Sequence, residues 1–286
     1  MIDNKNSIRG GCFYTATLLL FLVVSLFGRL LLDALQADKT VLYAVLSALS
    51  ASVFIVASLF YVKKDVKLLK IKSFSPIYLF PALMLAFGMF LGLGFLNMLV
   101  ASGVQEIGGT ITTTDFPLDT PWQYILFTVS LCAFPAVAEE MFFRGVMIDS
   151  LSKVGKTACV FTVALCFSLY HGNVAQLAYQ FIYGLGLGFL TIKANSIIPA
   201  IIAHFINNFA VLSLEYLNIA LNLNNVVIII IGSALLINFV LFMIFYDKAS
   251  VIACEKTESV RNFYIPFGAI GIAVATLIVI LSALPV

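Results

Sequence analysis

Charge is what this chain has least of. Only 10% of its 286 residues are Asp, Glu, Lys or Arg, against about 25% in an ordinary soluble domain. That shortage excludes a soluble globular fold, and nothing in the sequence points to a nucleic acid partner. Histidine occurs only twice, at His171 and His204. Neither belongs to the His-Glu-x-x-His arrangement of common zinc proteases. The five cysteines (Cys12, Cys132, Cys159, Cys166 and Cys254) show no Cys-x-x-Cys spacing. They read as small core residues rather than as a disulfide framework or a zinc site. There is no internal repeat, no low-complexity linker and no stretch polar enough for a separate soluble domain.

What is present is apolar. Hydrophobic residues make up 62% of the chain, and the mean hydropathy is +1.09. The runs are long enough for membrane-crossing helices rather than barrel strands. The expected fold is an all-α polytopic bundle of eight or nine transmembrane helices forming one integral membrane domain over 1–286. Candidate spans lie near 12–34, 41–62, 77–102, 122–148, 157–172, 174–193, 196–217, 226–246 and 263–286. The fifth is short and is separated from the sixth only by His171-Gly172-Asn173. The first run follows Lys5 and Arg9, is too long for a signal-peptide core and reads as a retained span.

Orientation follows from lysine and arginine. With the N-terminus cytoplasmic, the inner segments carry Lys5 and Arg9, then Lys63, Lys64, Lys67, Lys70 and Lys72. Further inner positives are Lys153, Lys156, Lys193, Lys248, Lys256 and Arg261. The outer segments carry only Lys39, and the loop from Gly103 to Pro121 holds Glu106, Asp115 and Asp119 with no basic residue. The lysines from 63 to 72 read as a positive-inside loop, with anionic headgroups as possible lipid partners. Arg29 inside the first span pairs with Asp33 four residues on, or snorkels.

Against this background Glu139 and Glu140 stand out. Ionisable residues at membrane depth usually face a bundle interior or a wet cavity. Glu140 and Arg144 are four apart and share a helix face, so they form a structural ion pair. Glu139 points about 100° away and has no partner in its own helix. Phe167 and His171 share a face, as do His204 and Asn208. Counted from the inner ends of their spans, Glu139 and His204 lie at similar depth, roughly 13 and 12 Å, whereas His171 comes out deeper, at roughly 21 Å.

Two chemistries fit these groups. In one, Glu139 and His171 hold a water, Glu139 takes its proton as it attacks a peptide carbonyl, and His204 and Asn208 stabilise the oxyanion. In the other, Glu139, His171 and His204 bind a divalent metal such as zinc. Both expect a wet cavity opening toward the inner face. On the sixth helix, Gly184 and Gly188 allow a close neighbour. Gln176, Tyr179, Gln180 and Tyr183 form a polar stripe there that either lines the cavity or bonds across helices. Pro135 and Pro199 are possible kinks near the site.

Glu139-Glu140-x-x-x-Arg144, Phe167-x-x-x-His171 and His204-x-x-x-Asn208, in that order on separate apolar helices, resemble the CPBP family of intramembrane proteases. This is the CAAX protease and bacteriocin-processing, or Abi, family, related to the type II CAAX prenyl endopeptidase. The three motifs place the catalytic core at about 122–217, flanked by helices over 12–102 and 226–286. The resemblance implies an endopeptidase with Glu139 as base, His171 and His204 in the site, Asn208 as oxyanion donor, and Glu140 and Arg144 structural. It implies either a metal-free or a metal-dependent mechanism. The substrate it implies is a membrane-associated peptide or protein, prenylated, CAAX-like or a leader peptide, reaching the site from the bilayer or the inner face. A bacterial plasma membrane is expected, because no endoplasmic-reticulum address is seen at the C-terminus. Peptide processing or bacteriocin self-immunity is the role the family implies there. The competing readings are a non-catalytic scaffold that regulates a sensor, and a transporter using the acidic pair as a relay.

Overall fold

The computed structural model describes residues 5–63, 65–111, 116–219, 221–222, 225–246 and 252–284. Lys64, Asp115 and Lys248, assigned to loops above, lie outside these. Among the described residues, nine apolar helices follow one another: α1 (Lys5–Ala34), α2 (Lys39–Val62), α3 (Pro76–Glu106), α4 (Pro121–Ser150), α5 (Lys156–Tyr170), α6 (Val174–Ala194), α7 (Ile198–Tyr216), α8 (Val226–Phe245) and α9 (Ala269–Leu281). Seven are long and apolar enough to cross a membrane, and α5 and α9 are shorter. The all-α bundle expected from composition is therefore what forms. The helices match the nine sequence runs one for one, but two of those runs fall short of spanning length.

The exterior shows why so apolar a chain is stable only in lipid. Large apolar side chains such as Phe60, Phe80 and Phe245 face outward, while the charged pair of Glu140 and Arg144 is wholly buried. The integral membrane reading follows from this inversion together with the helix lengths.

The lysine-bearing connections gather at one end. Gly155 N–H donates to Glu255 O at 2.9 Å, and Ile197 N–H donates to Lys70 O at 3.2 Å. Ile252 N–H donates to Ile192 O at 3.0 Å. The start of α1 is held there too, because the Ser7 hydroxyl and backbone N–H both donate to buried Glu258. The opposite end brings together 107–111, 116–120, 217–219 and 282–284, with Thr110 N–H donating to Ala283 O at 3.1 Å.

Helix α4 carries the acidic motif and is not a plain α-helix. It widens into π turns over 128–133 and 141–147, on either side of Glu139 and Glu140. Pro135 contributes to the first of these, since it has no N–H for the ladder. The carbonyl of Ser130, five residues back, is instead taken by the Ser47 hydroxyl of α2 at 2.6 Å. Such single π turns recur at functional sites because they re-aim side chains without ending the helix.

Helix α5 rises only roughly 22 Å at the α-helical rise per residue. Its turn back into α6 at His171-Gly172-Asn173 is thus set inside the bundle. Gly172 takes a positive φ of 63°, which favours glycine there. Val174 N–H is met by the Ser282 hydroxyl at 3.3 Å. Helix α6 then returns closely packed on α5: a Cβ at Gly184 would stand 3.1 Å from Ala164 Cα, and one at Gly188 would stand 2.9 Å from Val160 Cγ1. The small-residue spacing on α6 therefore seats it against the helix that carries Phe167 and leads to His171.

Candidate active site

The site is built around Glu140. Arg144 Nη1 donates to Glu140 Oε1 at 2.8 Å, and both side chains are fully buried. The guanidinium also lies 4.2 Å from the centre of the Phe167 ring and reaches Gly184 O at 3.4 Å. A charge this deep is held only when paired and hydrogen-bonded. Glu140 does a second thing that its spacing from Arg144 does not reveal. The same Oε1 accepts from His204 Nδ1 at 2.9 Å. A carboxylate can only accept, so the proton sits on Nδ1 and Nε2 is presented to the interior.

What that Nε2 faces is Glu139, whose Oε2 is 3.9 Å away. This is too long for a direct hydrogen bond, and Oε2 has no hydrogen-bond partner although it is buried. The Tyr170 side chain flanks the same carboxylate. One helix thus supplies two adjacent glutamates with different surroundings, the second locked to Arg144 and His204 and the first open to a cavity.

That cavity is about 620 Å³ and is lined by Glu139, His171, His204 and Asn208, all four of the proposed catalytic residues. The ring of Phe167 links the imidazoles, lying 4.9 Å from His171 and 5.8 Å from His204 between ring centres. His171 Nδ1–H donates to Phe167 O at 2.7 Å, which leaves its Nε2 as an acceptor. No direct bond joins Glu139 to His171, and their meeting is across the cavity.

Sequence reasoning named Tyr179 and Tyr183 only as part of a polar stripe, without partners, and missed Asn207. Tyr179 donates to Asn207 Oδ1 at 2.5 Å, and Asn207 Nδ2 reaches Asn208 Oδ1 at 3.5 Å. This chain leaves the Asn208 amide N–H₂ for the cavity. Tyr183 packs its ring on His204, with its buried hydroxyl unpaired. Of the polar stripe on α6, Gln176, Tyr179 and Gln180 line the cavity, so the stripe both lines it and, through Tyr179, bonds across helices. Cys132, read as a core residue, is also in the wall. The signal available for Tyr179 and Asn207 was their polarity on apolar helices, which marks a wet interior without assigning roles.

The direction of the cavity corrects an expectation. It was to open toward the lysine-bearing end. Below Glu139, however, Phe142, Phe143, Met147 and Leu151 are fully buried and close that path. Phe143 packs edge-on against Phe167 at 5.2 Å and beside Phe54 at 5.7 Å. The open side carries Asn97, Met98, Phe116, Val211 and Glu215, toward the opposite end. The elongated shape also explains how His171 shares a cavity with His204 despite its different depth along the helices.

The ligand-set alternative meets the same geometry. Among the described residues, no three or more His, Cys, Asp or Glu side chains are arranged to hold a metal ion. Both Nδ1 atoms are engaged, by Glu140 and by the Phe167 carbonyl, which leaves both Nε2 atoms free for a water or for a metal. Glu139, His171 and His204 as arranged do not form a ready three-ligand site.

These features define an integral membrane protein with a hydrolase-like constellation sealed from one end of the bundle. The family model described as Rce1-like, type II CAAX prenyl endopeptidase Rce1-like, matches residues 121–210. That is about a third of the chain, from the start of α4 into α7, and it contains every motif residue named above. The matched segment is similar to a type II CAAX prenyl endopeptidase domain, in agreement with its three motifs. No curated protein and no solved structure matches the chain.

Proposed function

We propose that this protein is an intramembrane endopeptidase that cleaves a membrane-associated peptide with a water activated by Glu139. The observation that carries this is the unpartnered Oε2 of Glu139, 3.9 Å from His204 Nε2 on the cavity floor. One water fits the roles left open: it donates one hydrogen to Glu139 Oε2 and the other to His171 Nε2, and its lone pair faces the substrate carbonyl. Glu139 takes a proton as the oxygen attacks. The oxyanion is met by His204 Nε2–H and the Asn208 amide. On collapse the C–N bond breaks, and the proton on Glu139 passes to the leaving amine.

Charge supports the assignment to His204. Glu139, Glu140 and Arg144 sum to −1 in a desolvated pocket, and one further proton, shared by Glu139 and His204, neutralises the set. Glu140 holds the imidazole in orientation and stabilises its cationic form, as the buried Asp does in a Ser-His-Asp triad. Arg144 pairs with Glu140 and holds its carboxylate in position for that task. By the asymmetry of lysines the N-terminus is cytoplasmic, and a bacterial plasma membrane is the proposed location, with peptide processing as the role.

The test uses full-length protein in lipid nanodiscs and quenched-fluorescence peptides chosen by comparing membrane peptides from cells with wild-type protein and with Glu139→Gln. Removing a general base lowers the rate about 10²- to 10⁴-fold. Cleavage at wild-type rate by a well-folded Glu139→Gln variant would leave a scaffold role as the better reading.

A further inference from the structure

We infer that the cavity takes an internal peptide segment carrying a Lys or Arg on the leaving-group side of the scissile bond, rather than a C-terminal tripeptide with its free carboxylate. This rests on the endopeptidase reading above and concerns the substrate of that same site.

The argument begins with what surrounds the cavity. Among the described residues, no Lys or Arg lines it, and none lines the hollow adjoining its mouth, where Phe116 and Glu215 are shared and Asp119 is added. The absence is written into the chain: there is no Lys or Arg between Lys72 and Arg144, between Lys156 and Lys193, or between Lys193 and Lys248. Among the described residues, the one fully buried Lys or Arg is Arg144, bound to Glu140 and stacked on Phe167. It cannot turn to a ligand without stranding Glu140.

The anionic groups are placed the other way. Glu139 is on the floor with an unpartnered buried oxygen, and Glu215 and Asp119 stand at the mouth. A released tripeptide leaves its carboxylate three residues beyond the cut, roughly 10 Å of extended chain. With the leaving-group side running toward the mouth, as this inference requires, that distance leads to a rim where none of the described lining residues is positive. A carboxylate in a partly desolvated acidic cavity is repelled, and an ammonium or guanidinium is attracted by the same field. Leu131, Leu212, Val211 and Phe90 supply an apolar wall for the side chains between.

The experiment uses full-length protein in nanodiscs and four quenched peptides sharing one apolar core. One ends three residues after the cut as a free acid, and one ends there as an amide. The other two extend past that point with Lys or with Glu. The amide is expected to exceed the free acid, and the Lys extension to exceed the Glu extension, each by about tenfold in kcat/KM at low salt. The Lys-to-Glu ratio falls toward one in Asp119→Asn/Glu215→Gln. Faster cleavage of the free acid, or ratios within about twofold in the wild type, overturns this inference and leaves the endopeptidase reading standing. If none of the four is cleaved above the Glu139→Gln background, the endopeptidase reading falls and this inference with it.

Discussion

Glu140 and Arg144 offer the sharpest test, because their burial makes the cost of separating them large and their contact with His204 gives that cost a second readout. Both side chains are inaccessible, joined at 2.8 Å. Arg144→Met leaves a buried carboxylate with only an imidazole beside it. Removing one partner of such a pair costs about 3–5 kcal/mol. Loss of the guanidinium over Phe167, 4.2 Å from the ring centre, adds about 1–2 kcal/mol. Glu140→Gln strands the guanidinium instead, and a similar loss is expected. In the double variant neither charge remains. Its destabilisation is expected to fall at least 2 kcal/mol short of the sum of the singles. The assay is reversible unfolding in mixed micelles, with all four proteins measured together. Activity separates the roles further. Gln at 140 still accepts from His204 Nδ1 but no longer stabilises an imidazolium, so the double variant stays inactive although part of the lost stability is recovered. Single losses below about 0.5 kcal/mol, or strictly additive ones, would refute the claim that this pair is a desolvated unit.

Other expectations follow from particular contacts. Tyr179→Phe removes the donor to Asn207, so Asn208 loses its fixed amide orientation; kcat should fall about tenfold with KM nearly unchanged. An equal loss in a protein already lacking Asn208 would show that Tyr179 acts elsewhere. Gly184→Ala places a methyl 3.1 Å from Ala164 Cα, pushing α6 off α5 at the carbonyl that meets Arg144; a loss of about 1–3 kcal/mol in unfolding checks it. In a cysteine-free background, Val211→Cys at the cavity mouth should react with an impermeant cationic thiol reagent applied outside intact cells, whereas Lys67→Cys should not. The reverse pattern would invert the orientation argued from the lysines. Chelation should leave cleavage intact, and loss restored by zinc would assign the water to a metal instead.

The sequence disclosed the class of fold and the membership of the site, but not the geometry between helices. Spacing of four put Arg144 beside Glu140, because a helix fixes neighbours on its own face. Two small residues four apart on α6 marked the tight seat on α5 for a similar reason. The bond from His204 to Glu140 joins α7 to α4 across 64 positions, and no local rule reaches that far. The π turns of α4 were equally out of reach, since a turn type set by Pro135 and a hydroxyl from α2 depends on a partner helix. The direction of the cavity was misjudged because depth along a helix was taken as depth below one face. Which end is sealed depends on where Phe142, Phe143 and Met147 pack, and apolar residues look alike on both sides of a motif.

The two adjacent glutamates show how one helix yields opposite chemistries from identical side chains. On α4 alone they differ only by about 100° of rotation. The difference in function comes from what other helices bring to each. Arg144, from the same helix, and His204, from α7, both meet the one oxygen Glu140 Oε1, and although Glu140 Oε2 is also without a hydrogen-bond partner, the fully buried Glu140 does not line the cavity, so it is kept from the substrate. Glu139 meets only Tyr170 and the edge of His204, and its Oε2 stays unclaimed. Exchanging the pair's roles would require moving α7, not altering α4. A graft of the acidic motif into another apolar helix should therefore carry no activity, whereas small shifts of α7 that lengthen the bond from His204 to Glu140 should lower activity even with every motif residue in place.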